Sequence, residues 1–195
     1  FSLIDSGVQE FTSYQAMVLK STELEEDISV QKYGLKTKSR LVPRAIGKYE
    51  INKKSINVAE IETIVVSTDT LSYDDYLNSR ILHLLAGIYH NSGVFDILDY
   101  LLKKYNVKKS EIINVLHQRV EKNESKFQEL IVAFIRETEG ELFDTEEECL
   151  EFYCKNENLK RVKNSEIGGN LIWTYIGLSF FKYWKDVVEE LIVSL

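Results

Sequence analysis

The chain has 195 residues, 44% hydrophobic and 11% aromatic, so it can bury a core of about one domain and is far from a disordered composition. Its net charge of −7 argues against a sequence-independent grip on nucleic acid, which needs clustered Lys and Arg against phosphate. A single proline and nine glycines favour long uninterrupted helices over a turn-rich all-β fold.

No twenty-residue apolar run and no signal-peptide pattern occurs, so the expectation is a cytoplasmic protein with no membrane partner. Residue 1 is Phe, and the one methionine, Met17, lies inside an apolar run that a start there would halve. The chain is therefore expected to be a fragment of a longer protein.

In chain order, residues 14–21 (YQAMVLKS) predict a buried strand. Thr22 is the expected N-cap of a helix whose first turn carries Glu23, Glu25 and Glu26, where the helix dipole favours acids, and Gly34 is its stop. Residues 36–51 (KTKSRLVPRAIGKYEI) alternate basic and apolar side chains loosely. Residues 58–71 are rich in β-branched side chains, with Ile61, Thr63 and Val65 on one side and Ile64 and Val66 on the other, and read as a strand. Strand, helix and strand across 1–70 suggest the edge of an α/β sheet.

From residue 71 onward the pattern is helix after helix. Ser72 and Asp75 form a capping-box signature ahead of Tyr76, Ile81, Leu84, Leu85 and Ile88 at helical spacing. Ser110 is the expected cap of a later helix, and Thr145 with Glu148 forms a second capping box. The tail 171–195 is apolar around most of its circumference, with Trp173, Tyr175, Phe180, Phe181, Tyr183 and Trp184, and is expected to be buried centrally or against a partner. The expected fold is mainly α: a strand-helix-strand remnant at 1–70 followed by a multi-helix domain at 71–195.

Few residues suggest chemistry. Cys149 and Cys154 lie five apart, about 140° apart on a helix, with no third thiol, so they read as reduced cytosolic thiols and not as metal ligands. His83 and His90 share a helix face about 10 Å apart, too far for one metal, and His117 stands alone, so no metal site is expected. No nucleophile elbow, phosphate loop or dinucleotide fingerprint occurs. The paired glycines in IGGNL (167–171) read as a hinge before Asn170 as N-cap. Lys36, Lys38, Arg40, Arg44 and Lys48 form a basic run in an acidic protein. Arg40 and Arg44, flanking Pro43, could offer forked donors to a carboxylate or phosphate; the alternative is a solvated edge strand guarded by Lys and Pro.

With these motifs in view, YQAMVLKSTELEED, KYGLKTKSRLVPRAIGKYE and STDTLSYDDY stand in an order and spacing that resembles the C-terminal part of radical S-adenosylmethionine enzymes carrying a cobalamin-binding domain. The resemblance covers residues 14–85, and the rest matches only in general character. It departs at Lys20-Ser21, where the family has Pro-Gly, and the cluster-binding CxxxCxxC motif is absent. The resemblance implies that 14–19 is the closing strand of a partial barrel and that the helices cover the barrel mouth. It also implies S-adenosylmethionine, a [4Fe–4S] cluster and a possible cobalamin held by the rest of the parent polypeptide, with Arg40 and Arg44 as candidate substrate contacts. Such a cluster needs three thiolates, so this chain alone should be inactive. The alternative expectation is a helical interaction module that forms a homodimer through the aromatic tail 171–195.

Overall fold

The computed structural model describes residues 1–195. The fold is mainly α: a two-stranded antiparallel sheet near the N-terminus precedes a helical region, and ten helices are present in all. No helix is long and apolar enough to cross a membrane.

The sheet is a hairpin of β1 (Lys36–Ile51) and β2 (Lys54–Ser67). Asn52 and Lys53 close it with both residues in left-handed backbone, the turn geometry whose twist matches that of the flanking strands. The ladder breaks once. Leu41 faces Ile61 and Ile46 faces Ala59, so residues 42–45 stand against Glu60 alone. Pro43 lies in this bulge, where its missing N–H leaves no gap in the ladder.

The opening stretch is not the buried strand its sequence predicts. Only Met17 forms a bridge, antiparallel to Ile64, with Val18 N–H donating to the Thr63 carbonyl and Val65 N–H to that of Ala16. Tyr14 is 84% exposed and Leu19 57% exposed. A three-residue contact on one edge of β2 cannot cover side chains that point alternately to both faces.

Helix α1 (Ser2–Asp5) is a single turn, and α2 (Asp27–Tyr33) starts later than expected. Thr22 does not cap α2: its hydroxyl donates to the Leu19 carbonyl at 2.6 Å in a turn of its own. Gly34 is the stop, at φ 58°, where a Cβ would collide with the Asp69 carboxylate. The Ser72 box opens α3 (Tyr73–Ala86), with Asp75 N–H donating to Ser72 Oγ and Ser72 N–H to Asp75 Oδ2, both at 3.0 Å. A π-helical turn, Gly87–Asn91, extends α3.

Next come α4 (Asp96–Tyr105), α5 (Lys109–Glu121) and α6 (Gln128–Gly140). Ser110 lies inside α5 and not at its cap, because its hydroxyl donates to Asp5 Oδ2 at 2.8 Å. Thr145 does cap α7 (Glu146–Tyr153), accepting from Glu148 N–H at 3.1 Å. Helix α8 (Asn156–Lys163) follows, and the tail is two helices, α9 (Leu171–Phe181) and α10 (Trp184–Ser194).

The chain forms two compact units that interleave in sequence. One comprises residues 1–13, 77–136 and 171–195; the other comprises 14–76 and 137–170. The first is built on Leu84, Leu85, Ile88, Leu116, Phe134 and Tyr175, with the Phe134 and Tyr175 rings edge to face at 5.2 Å. Its one fully buried acid, Glu190, is held by Arg119 Nε at 2.6 Å and Lys126 N–H at 2.7 Å, the pairing a buried carboxylate requires. The second unit packs Leu41, Ala59, Cys149, Tyr153 and Val162 between the hairpin and α7–α8.

Candidate functional site

Of the basic run on β1, the structure separates the two arginines into different environments. Arg40 points away from the face that carries Leu41 and Ile61, toward Glu62 across the ladder. Its Nε donates to Glu62 Oε1 at 2.6 Å and its Nη1 to Glu141 Oε1 at 2.9 Å. All three side chains are less than one-fifth exposed. Burial opposes the charge on Arg40, but the two carboxylates outweigh it and hold the guanidinium pKa above its ordinary value. Arg40's charge is thus already neutralised by two carboxylates within the chain. Lys38 is likewise claimed by Asp144.

Arg44 is different. It sits in the bulge at φ 61°, a left-handed conformation that costs an L side chain about 1 kcal/mol. Its N–H donates to the Gly168 carbonyl at 2.8 Å, which fixes that conformation, while its side chain is exposed and makes no ion pair. Gly168 is itself left-handed, at φ 69°, and a Cβ there would stand 2.7 Å from Leu41 Cδ2. The paired glycines therefore permit close approach of two backbones within this unit, where the sequence suggested a hinge. Arg44 is thus an unpaired cation on the bulge; Lys36 and Lys48 are likewise exposed and without an ion pair, but Arg44 alone of the three presents a planar fork that matches a carboxylate or phosphate.

The sequence pointed to Arg40 through its charge. Its two carboxylates could not be found that way. Glu62 is its cross-strand neighbour in the ladder, but Glu141 lies 101 residues away with no local signal.

The two thiols do not fit an iron–sulfur cluster. Cys149 is fully buried, and burial, with Cys154 beside it, pushes its thiol up to about 12. Cys154 donates to the Asn57 carbonyl at 3.6 Å, and no third thiol exists in the chain. No group of three or more His, Cys, Asp or Glu side chains gathers for a metal. His90 Nε2 lies 2.8 Å from the Val8 carbonyl and His117 Nε2 lies 3.3 Å from that of Asn78. His83 is half-buried, and burial, then Arg80, lower its pKa.

An open cleft of about 750 Å³ in the first unit is lined by Asp5, His90, Asp96, Asp99, Lys108 and Lys109, among others. Lys109 is 2.9 Å from Asp99, and Lys108 is 3.9 Å from Asp5. Its acids and bases are matched to each other, so the cleft offers a charged ligand little net field. In comparison with known proteins, the chain matches no family model and no curated protein sequence.

Proposed function

We propose that this chain is the C-terminal portion of a radical S-adenosylmethionine enzyme, where it covers and shapes the substrate site. The observation that carries the reading is the order and spacing of YQAMVLKSTELEED, KYGLKTKSRLVPRAIGKYE and STDTLSYDDY within residues 14–85. Two features support it. Residues 14–19 lie along β2 by a single bridge with Tyr14 and Leu19 exposed, an unfinished edge that a preceding strand would complete. Arg44 is exposed with its guanidinium unpaired, suited to a carboxylate or phosphate of the substrate.

In this reading the [4Fe–4S] cluster, S-adenosylmethionine and any cobalamin belong to the rest of a cytoplasmic parent polypeptide. No residue of this chain is assigned to them, and the chain alone is inactive. The coding sequence upstream of Phe1 is expected to carry CxxxCxxC; its absence there overturns the reading. In the parent enzyme Arg44→Ala is expected to lower kcat/KM at least about tenfold, the scale of one lost charge-assisted contact. Wild-type kinetics removes Arg44 from the site.

A second reading, a helical interaction module, is favoured by one observation: Phe181 is 94% exposed and Trp173 63% exposed on the outer side of the tail. Loss of self-association in Phe181→Asp, followed by sedimentation, is its test. A chain that stays monomeric before the substitution rules it out.

A further inference from the structure

Beyond the bulge, the hairpin is a ribbon with one face covered and one bare. Ile46, Asn57 and Ala59 face the packed side, where Asn57 Nδ2 donates to the Cys154 carbonyl at 2.8 Å. The opposite face carries Gly47, Tyr49 and Ile51 on β1 and Lys54, Ile56, Val58 and Glu60 on β2, by the alternation of a strand and the ladder register. Tyr49 is 59%, Ile51 56%, Ile56 44% and Val58 38% exposed. Four large apolar side chains thus lie together in solvent on a sheet that is already apolar on its other side.

The order of residues along this face says what covers it. On β2 it reads Lys54, Ile56, Val58, Glu60: a cation, two apolar residues and an anion, evenly spaced. Lys54 and Glu60 are both exposed and neither takes part in an ion pair within the chain. The pattern becomes its own complement when turned end for end about Asn57. Two ribbons stacked face to face about a twofold axis there would lay β2 antiparallel over β2. Each Ile56 would meet Val58 of the second copy, and each Lys54 would meet Glu60 of the second copy. Sheets stack about 10 Å apart, and the face is low enough for that. The Tyr49 ring lies across Gly47, where a Cβ would stand 3.0 Å from it.

We propose that the bare face of the hairpin, Tyr49, Ile51, Ile56 and Val58 bracketed by Lys54 and Glu60, is the surface on which two copies of this chain form an isologous dimer. The apolar residues supply the affinity and the two Lys–Glu contacts fix the antiparallel register. This goes beyond the proposed enzymatic role and stands independently of it.

Sedimentation equilibrium of the whole chain tests it by charge exchange. K54E or E60K alone places like charges together at both ends of the interface and is expected to weaken the dimer at least about tenfold. Mixing K54E chains with E60K chains rebuilds both pairs, as does the double variant K54E/E60K. Each is expected to return association to within about threefold of the parent, which a folding defect could not do. Three outcomes overturn the proposal. A strict monomer at about 100 μM, well above typical dissociation constants of specific dimers, gives the face to a different polypeptide. A dimer indifferent to all the exchanges places the interface elsewhere, and one lost only in F181D places it on the tail.

Discussion

The Arg44 N–H donates to the Gly168 carbonyl at 2.8 Å, and both residues occupy left-handed backbone, at φ 61° and 69°. Gly168, 124 positions later, takes this conformation freely, and its carbonyl holds the bulge at Arg44 in a conformation that an L side chain disfavours. Gly168→Ala is expected to cost about 2 kcal/mol, from the left-handed penalty plus the approach to Leu41. Thermal unfolding measures it, and an unchanged midpoint would mean that the contact with Gly168 does not hold the bulge.

Arg40 separates stability from function. Removing its guanidinium leaves the Glu62 and Glu141 carboxylates facing one another with little solvent. Arg40→Ala is expected to cost about 3 kcal/mol in chemical denaturation, and Arg40→Ala with Glu62→Leu to recover part of it, because one of the stranded charges is gone. Recovery fails if the triad contributes through packing of the arginine stem alone.

The two thiols differ in reactivity. Cys149 is fully buried with its thiol pushed up to about 12, whereas Cys154 is partly exposed. At about pH 8, iodoacetamide is expected to leave Cys149 unmodified in the folded chain and to label both residues in denaturant, read by mass spectrometry. Rapid labelling of native Cys149 contradicts the packing of α7 on the hairpin.

His83 gives the stability a pH dependence. Its folded pKa lies below the ordinary 6.5, first through burial and then through Arg80, so the unfolded chain binds the proton more tightly. The contribution is fully present above about pH 6.5 and is lost as pH falls toward the folded pKa. His83→Gln is expected to flatten this part of a stability profile between about pH 7 and pH 5. An unchanged slope assigns it to other groups.

What the sequence made legible was chiefly local. The boxes at Ser72 and Thr145 and the stop at Gly34 are decided within a turn of backbone, and β2 by its β-branched run. The two boxes and the stop stand where the pattern predicts, whereas β2 runs Lys54–Ser67, four residues earlier at each end than the expected 58–71. Thr22 and Ser110 carry the same cap chemistry, yet the Thr22 hydroxyl is taken by the Leu19 carbonyl in a competing local turn and that of Ser110 by Asp5, a choice that depends on where a distant segment lies. The tail shows the same limit. Its apolar residues divide between an inner set, Ile172, Tyr175 and Ile176, and an outer set that includes Phe181, and Lys182–Tyr183 breaks it in two. Neither the Arg40–Glu141 pair nor the Gly168 contact has any local signal, since both join segments more than a hundred residues apart.

The interleaving of the two units has a consequence during synthesis. The unit that begins at residue 1 cannot close until 171–195 has left the ribosome, because Tyr175, Ile176, Val187 and Leu191 belong to its interior. The unit that begins later, at Tyr14, has all its segments once residue 170 has emerged. The first unit begun is therefore the last finished, and until then Leu84, Leu85 and Phe134 wait without the side chains that enclose them. A chain stopped before Leu171 loses part of that unit's inner wall and leaves a sticky nascent intermediate.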